Sequence, residues 1–395
     1  MVFCYQETNK FDTADTLLKT QLQNFPQQSY LNVLIGYNYE RQQKSEQAEK
    51  YYQKAIDAIQ VKNRYGNLTA TFFKNYTKLN YAAKTYTTIM ENNPRANYGF
   101  QLAQIYGEQG DFKKMFSSYV DLVDKNEDYL GNVKRYASKY VTEEPDNEYN
   151  ILFKQALLKK SISNPKNCWN DLLGWLFINQ KEYSKALVQY KALLARNIDN
   201  LGKIKSLSSI AFENKDYETA RKCCDILIEK SNYPRDKFQA IEMNLRMDIN
   251  TQQPNIESKF QNLFATYGTN KQTLNIQLAY ANYLTFTKNN PEEAIAVIDR
   301  ASTFADSKFT KAFIKLKLGE VLIYNQQFNK ALLNFSQVQT QFKNHFLGQE
   351  ARFKVAQLSY FKNDFDWAKA QLKILKRFCN TINRKRCSGT FFNHK

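Results

Sequence analysis

The stretch LIGYNYERQQKSEQAEKYYQKAI, residues 34–56, decides the fold. In its first half, Gly36 and Tyr39 have the spacing of neighbours on one face of a helix. In its second half, Ala48, Tyr52 and Ala55 follow the i, i+4, i+7 spacing of another helix face. A short polar segment between the halves is typical of a turn. The stretch therefore predicts two helices that approach each other closely at small residues.

The alanine of the second half returns at a nearly constant interval along the chain. The step is 34 from Ala14 to Ala48 and again to Ala82, and it is 37 between the last alanines of the series. The recurring positions are Ala14, Ala48, Ala82, Ala186, Ala220, Ala294, Ala331 and Ala368. Repetition at this interval is the signature of a repeat array in which each helix pair packs against the next.

Composition excludes several classes of protein. The chain has 395 residues, 43% of them hydrophobic, which is enough for a sizeable core and excludes wholesale disorder. No segment is long and apolar enough to predict a membrane-spanning helix. The two histidines, His345 and His394, nearly exclude catalysis that needs several imidazoles. The six cysteines form no zinc-binding spacing, and we expect at least one of Cys223 and Cys224 to pack in the core.

The recurring pattern of small and aromatic residues resembles the tetratricopeptide repeat, most closely over residues 29–62. The resemblance extends over about ten helix pairs, some of them degenerate, such as those in residues 126–165 and 235–268. It implies an all-α, right-handed superhelical solenoid spanning residues 1–376. It also implies a non-enzymatic scaffold that binds a peptide or protein in its concave groove. The chain is further similar to the long tetratricopeptide proteins of Bacteroidota-type bacteria.

The resemblance implies groove positions on the first helix of each pair. On this chain those positions mix aromatic, amide and basic side chains, which suits an acidic or amphipathic peptide. The candidate residues are Tyr30, Tyr37, Arg41, Asn67, Lys74, Phe100, Gln104, Trp175, Lys205 and Phe212. The alternative is that these are ordinary solvated or packing residues. The carboxylate clamp of some chaperone-docking members is not expected, because Val33 and Tyr37 occupy its positions.

The sequence carries no signature of catalysis. It has no phosphate-binding loop, nucleophile elbow, zinc-protease motif or dinucleotide fingerprint. We therefore expect no enzymatic activity, no cofactor and no metal. The net charge of +18 leaves one alternative function open, a helical-repeat protein that binds nucleic acid through a basic surface. Because the Lys and Arg residues are spread among acidic ones, a solvated outer face is the more ordinary interpretation.

The two ends of the sequence do not fit whole repeats. Aligned on Ala14, Met1 falls at the seventh position of a repeat, so we expect further sequence upstream. Residues 377–395 carry five Lys or Arg and no acid, and we expect a basic tail outside the array, either disordered or an artefact of the reading frame. As written, the sequence predicts a cytoplasmic protein. The similarity to Bacteroidota-type proteins implies a longer parent that is exported to the cell envelope.

Overall fold

A computed structural model describes residues 2–61, 63–93, 95–196 and 201–381. These residues form 22 α-helices and two short 3₁₀ turns, and no strand occurs among them. None of these helices is long and apolar enough to cross a membrane. The chain divides into two compact units, unit 1 (Met1–Asn200) and unit 2 (Leu201–Lys395).

Unit 1 contains six helix pairs, in which odd-numbered helices are the first and even-numbered helices the second of each pair. Their bounds are α1 Val2–Glu7, α2 Phe11–Asn24, α3 Tyr30–Arg41, α4 Ser45–Val61, α5 Gly66–Asn75, α6 Leu79–Asn92, α7 Gly99–Glu108, α8 Phe112–Lys125, α9 Leu130–Ala137, α10 Glu148–Ser163, α11 Asn167–Asn179 and α12 Tyr183–Ala195.

Unit 2 contains five further pairs with the same alternation. Their bounds are α13 Leu201–Glu213, α14 Tyr217–Lys230, α15 Pro234–Asn250, α16 Ile256–Tyr267, α17 Leu274–Phe286, α18 Pro291–Ser302, α19 Lys308–Tyr324, α20 Phe328–Gln341, α21 Phe346–Phe361 and α22 Phe365–Thr381. Helix α22 therefore continues five residues beyond Lys376, where the sequence predicts the array to end. The rest of the predicted tail, residues 382–395, lies outside the described residues.

Small residues hold the two helices of a pair together, as the sequence predicts. All eight recurring alanines are buried on the second helices. On the first helices, Gly36, Gly174 and Gly319 each lie against the ring of an aromatic residue, and a Cβ added at any of them would overlap that ring. The rings are Tyr52, Tyr190 and Phe335, which are themselves buried on the second helices. The absence of a side chain thus sets how closely the helices approach.

The two predicted degenerate stretches also form helix pairs. Residues 126–165 contain α9 and α10, and residues 235–268 form most of α15 and α16. The cysteine prediction is confirmed, because Cys223 and Cys224 are both fully buried on α14. Burial raises the pKa of each thiol to about 12, so both remain protonated and inert at neutral pH.

The turn within almost every pair carries a residue in the left-handed conformation, which marks the repeat period in the structure. From Asn9 to Gly110 the successive steps between turn residues are 34, 34 and 33, and from Lys215 to Asn363 every step is 37. In the shorter repeats, the first helix begins eleven to fourteen positions before its turn residue, as in α3, α5, α7, α11 and α13. In the longer repeats it begins fifteen to eighteen positions before it, as in α15, α17, α19 and α21. The extra residues of the 37-residue repeats therefore extend the N-terminal ends of α15, α17, α19 and α21.

We predict opposite effects on stability for two Gly→Ala substitutions in unit 2. Gly319→Ala forces a methyl group into the fully buried ring of Phe335 and should cost ~1–3 kcal/mol, more than the gain in helix propensity. Gly202→Ala meets nothing within 4 Å and should stabilise by up to ~1 kcal/mol. Urea denaturation followed by circular dichroism measures both. Shifts of the same sign would contradict the packing described for Gly319.

Candidate functional site

Three cavities lie along the first helices of unit 2 and share lining residues. They have volumes of about 530, 470 and 810 Å³. Gln239, Asn275 and Phe313 line both the first and the third. Arg246, Asn282, Phe286 and Lys317 line both the first and the second. The cavities therefore form one continuous depression, here called the unit 2 groove, across α15, α17, α19 and α21.

The periodicity of the first helices explains why the groove is continuous. On α15, Gln239, Glu242, Arg246 and Asn250 line it at intervals of three or four residues, which places them on one helix face. The neighbouring first helices also contribute to it, as Asn275, Asn282 and Phe286 do on α17. Parallel helices with aligned faces give a surface that runs across several repeats.

Exposed phenylalanines give this groove its apolar character. Phe286, Phe309, Phe313, Phe346 and Phe361 line it and are 52%, 46%, 37%, 60% and 52% exposed. A single exposed apolar side chain is ordinary, but five on one concave surface form a patch typical of an interaction site. The groove is thus a place where a partner can remove apolar surface from water.

Paired charges lie at the centre of the groove. The carboxylate of Glu320 accepts hydrogen bonds from Lys317 at 3.0 Å and from Lys354 at 2.8 Å. Burial alone would raise the pKa of Glu320, but the two ammonium groups outweigh burial and lower it. Arg246 lies 3.7 Å from Glu242, which is too far for a strong ion pair. Glu320 therefore holds the two lysines in place, whereas Arg246 is only weakly paired.

Two carboxyl groups near this centre behave differently from Glu320. Burial raises the pKa of Glu242, and Arg246 and Lys317 offset the effect only partly. Burial likewise raises the pKa of Glu350, with a small offset from Lys317 and an added increase from the charge of Glu320. Both carboxylates are therefore ionised at a cost in free energy at neutral pH.

Several amide side chains in the groove are available to a partner. Gln239, Asn275, Asn282 and Gln357 line it, and none of them makes a side-chain hydrogen bond within the described part of the chain. An amide carries two donors and an acceptor, which match the N–H and C=O groups of a peptide backbone. No group of three or more His, Cys, Asp or Glu side chains in the described residues is placed to hold a metal ion.

The predicted tyrosines of α3, Tyr30 and Tyr37, contact aromatic residues of the next repeat. Tyr30 on α3 stacks on Phe72 of α5, with ring centroids 5.2 Å apart and an interplanar angle of 10°. Tyr37 on α3 contacts Tyr76, the residue that follows α5, with ring centroids 4.2 Å apart. These rings are half-buried and join neighbouring first helices. The predicted alternative, a packing role, accounts for these contacts.

The predicted polar residues of unit 1 are mostly engaged in the same way. Arg41 donates to Glu7 at 3.0 Å, and Lys74 pairs with Glu108 at 2.7 Å, in each case across one repeat. The side chain of Asn67 accepts a hydrogen bond from Tyr86 at 3.2 Å. Each of these exposed or half-exposed pairs contributes little to stability, ~0–1 kcal/mol. The polar groups of the three side chains nevertheless already have partners within the chain.

The remaining predicted residues fall in three places. Phe100 packs among Tyr119, Tyr129 and Tyr136, while Gln104 is half-buried on the same helix, α7. The ring of Trp175 lies 6.4 Å from that of Phe153.

In unit 2, Lys205 pairs with Asp236 at 2.5 Å, and the guanidinium of Arg246 lies 4.7 Å from the ring centroid of Phe212. Only Phe212 therefore contacts a residue that lines the unit 2 groove. None of the ten predicted residues lines any of its three described cavities.

The residues that line the unit 2 groove were not predicted from the sequence, although several of them occupy the same repeat positions as the predicted residues of unit 1. Tyr30 and Tyr37 lie 13 and 6 positions before the left-handed turn residue Gln43. The same two positions before the turn residue Gln326 are Phe313 and Glu320 on α19. On α21 the corresponding groove positions are Phe353, Gln357 and Phe361, which lie 10, 6 and 2 positions before the turn residue Asn363. These positions are most easily assigned in the regular repeats of unit 1, whereas the groove is built by the longer repeats.

Comparison with known proteins gives one family match and several structural neighbours. A family model described as tetratricopeptide repeat matches residues 29–60. The search of curated proteins gave no match. Yeast Tom70 is 12% identical, with a TM-score of 0.41, and the alignment covers 95% of this chain and 90% of Tom70. The Cut9–Hcn1 hetero-tetramer of APC/C is 11% identical, with a TM-score of 0.35 and coverage of 95% and 86%.

A third neighbour is the structure of Naa15/Naa10 bound to HypK-THB, at 12% identity and a TM-score of 0.31. The alignment covers 97% of this chain, which spans 63% of the length of that neighbour. Identities this low say nothing about function. The repeat match at residues 29–60 coincides with α3 and α4, the pair in which Gly36 packs on Tyr52.

We predict that two charge-removing substitutions in the groove change stability in opposite directions. Glu320→Gln loses two charged hydrogen bonds and should destabilise by ~1–2 kcal/mol at pH 7. Because the pKa of Glu320 is lowered from its ordinary 4.5, this loss should fade as pH falls below 4.5. Glu242→Gln should stabilise at pH 7, because the raised pKa makes ionisation unfavourable in the folded state.

The gain from Glu242→Gln should also vanish below the ordinary pKa of 4.5, where wild-type Glu242 is protonated in both states. Thermal melts of both variants and the wild type between about pH 4 and pH 8 give the comparison. A Glu242→Gln variant that is less stable than wild type at pH 7 would contradict the arrangement described here.

Proposed function

We propose that this chain, which matches a tetratricopeptide-repeat family model over residues 29–60, is a non-enzymatic scaffold that binds a protein partner in the unit 2 groove. The observation that carries this proposal is the row of five exposed phenylalanines on one concave surface. Bound peptides gain most of their affinity from a few apolar anchors that fill such pockets. The family resemblance predicts that a partner binds on the concave face formed by the first helices. The exposed phenylalanines favour the unit 2 groove as the part of that face that binds it.

The polar residues of the groove support a polypeptide as the partner. Gln239, Asn275, Asn282 and Gln357 offer unused donors and acceptors to a peptide backbone. The paired charges around Glu320 are preorganised, so a partner need not desolvate isolated ions there. Apolar anchors with amide hydrogen bonds between them are the usual composition of a peptide-binding groove.

Nucleic-acid binding, the alternative prediction, has less support in this groove. The carboxylates of Glu242 and Glu320 lie among its cations and would repel a phosphate backbone. Lysines elsewhere are paired with acids of neighbouring repeats, as Lys78 is with Glu40. The basic charge of the chain is therefore interleaved with acidic charge along much of its described length.

Two further expectations remain proposals. The predicted first-helix residues of unit 1, from Tyr30 to Trp175, would form a second and more polar contact surface. From the resemblance of the sequence pattern to Bacteroidota-type proteins, we also propose a scaffold in a bacterial envelope assembly. Fractionation of the source cells, followed by protease treatment of spheroplasts, tests this location. Protection from protease inside the spheroplasts would contradict it.

We predict that peptides selected from a random library by the purified chain depend on the groove phenylalanines. The double variant Phe286→Ser/Phe361→Ser should lower their affinity about tenfold or more, because each removes an apolar anchor. The matched control is Leu333→Ser/Val188→Ser, which removes equally exposed apolar side chains from the second helices α20 and α12. Fluorescence anisotropy measures both. Equal losses in the two variants, or selected peptides that ignore the groove variant, would refute the proposed site.

A further inference from the structure

The 37-residue period of unit 2 adds residues at one defined place. The period is three residues longer than in the 34-residue repeats, and the first helices start earlier relative to their turn residues. The positions that lie fifteen to eighteen before each turn residue, ahead of the first helix in the shorter repeats, are residues 234–237, 271–274, 308–311 and 345–348. Their sequences are PRDK, KQTL, KFTK and HFLG, here called the N-terminal extensions. They lengthen α15, α19 and α21, whereas before α17 most of them form a turn.

These extensions build the largest of the three groove cavities. Ten of the fourteen residues that line the 810 Å³ cavity belong to them. Three of the other four, Gln239, Asn275 and Phe313, also line the first cavity and so join the two. We call it the N-terminal cavity. In the shorter repeats these positions precede the first helix, whereas in α15, α19 and α21 most of them belong to it, so the cavity depends on the earlier helix starts of the longer repeats.

Aromatic side chains form one wall of the N-terminal cavity. Phe309 and Phe346 lie on either side of the ring of His345, with centroids 5.3 and 4.8 Å from it. Phe309 also packs on Phe342, which is buried and fixes its position. Nearly half of the Phe309 surface and more than half of the Phe346 surface remain open to solvent. The wall is packed on one side and uncovered on the other, as expected for the receptor of an apolar side chain.

Uncompensated positive charge surrounds this wall. The four extensions contain five Lys or Arg and a single acid, Asp236, which is already paired with Lys205. Lys271 pairs with Asp306, but Arg235 makes no ion pair within the described residues. Lys308 lies 5.4 Å from the ring centroid of Phe309 and also has no acidic partner there. Cations in the first turn of a helix oppose its macrodipole, so a bound anion would relieve an unfavourable arrangement.

We propose that the N-terminal cavity binds an acidic segment of the partner that carries at least one bulky apolar side chain. The apolar side chain packs on Phe309 and Phe346, and carboxylates of the segment face Arg235 and Lys308. This inference rests on the proposed function, because it assigns part of the same groove. It goes beyond that function by naming the chemistry of the partner.

Charge selects this occupant over others that could cover the same apolar wall. The tail of this chain, residues 377–395, carries five Lys or Arg and no acid, so the cavity would repel it. A second copy carries a net charge of +18 and would be repelled likewise. A nucleic acid would be attracted by Arg235 and Lys308 but would meet the carboxylates of Glu242 and Glu320 farther along the groove.

Synthetic fluorescent peptides test the proposal directly on the full chain. The probe is a peptide of about twelve residues in which Asp and Glu alternate with Leu and Phe, with a length of ~40 Å when extended. Replacing its acids by Asn and Gln should weaken binding about tenfold, and so should replacing its Leu and Phe by Ser. Raising the salt concentration should weaken the acidic peptide more than its amide version.

Charge reversal in the chain provides the second arm of this test. Arg235→Glu/Lys308→Glu should lower affinity for the acidic probe about tenfold and remove its preference over the amide version. Both substitutions place an acid in the first turn of a helix, which favours folding. The matched control is Lys330→Glu/Lys373→Glu, which makes the same charge change at exposed lysines of the second helices α20 and α22 and should leave affinity unchanged.

The outcomes separate this inference from the proposed function. Equal affinity for the acidic probe and its amide version overturns the inference, whereas peptide binding that depends on Phe286 and Phe361 would keep the groove assignment. Absence of any groove-dependent peptide binding overturns both. A single-stranded oligonucleotide could instead bind more tightly than the peptide and lose that affinity in Arg235→Glu/Lys308→Glu. That result would show that the cavity binds a nucleic acid and would overturn the inference.

Discussion

The structure depends on the close approach of two helices at a residue that lacks a side chain. Gly36, Gly174 and Gly319 let the first helix of a pair rest on an aromatic ring of the second, and buried alanines do the same from the other side. This contact fixes which face of each first helix turns away from its partner. Because the contact recurs, the outward faces of successive first helices align. A groove that runs across repeats is the consequence of that alignment.

The two units use this common face differently. In unit 1 the outward side chains bind one another across repeats, through stacked tyrosines such as Tyr30 on Phe72 and through ion pairs such as Lys74 with Glu108. In unit 2 the helices are longer at their start, and phenylalanines remain exposed between paired charges. Three added residues per repeat therefore accompany the change from a self-contacting face to one that a partner can cover.

The fold was largely predictable from sequence because the packing contact needs small and aromatic residues at fixed intervals. Ala186 and Tyr190 indicate the second helix of their pair without any knowledge of the structure. The candidate site was less predictable, for a physical reason. The ion pair of Arg41 with Glu7, for example, joins residues 34 positions apart on different helices, and no local pattern reveals it. The 37-residue spacing of Ala294, Ala331 and Ala368 is visible in the sequence, but it does not reveal that the added residues extend the first helices and form a cavity.

The central claim is that the unit 2 groove is the surface that binds a partner. Photo-crosslinking tests it most directly, with p-benzoylphenylalanine in place of Phe286 in one chain and in place of Leu333 in another. The probe is a peptide selected from a random library by the unmodified chain. The account predicts a covalent adduct from position 286 and none from position 333. An adduct from position 333 with none from position 286 would place the binding surface outside the groove and contradict the account.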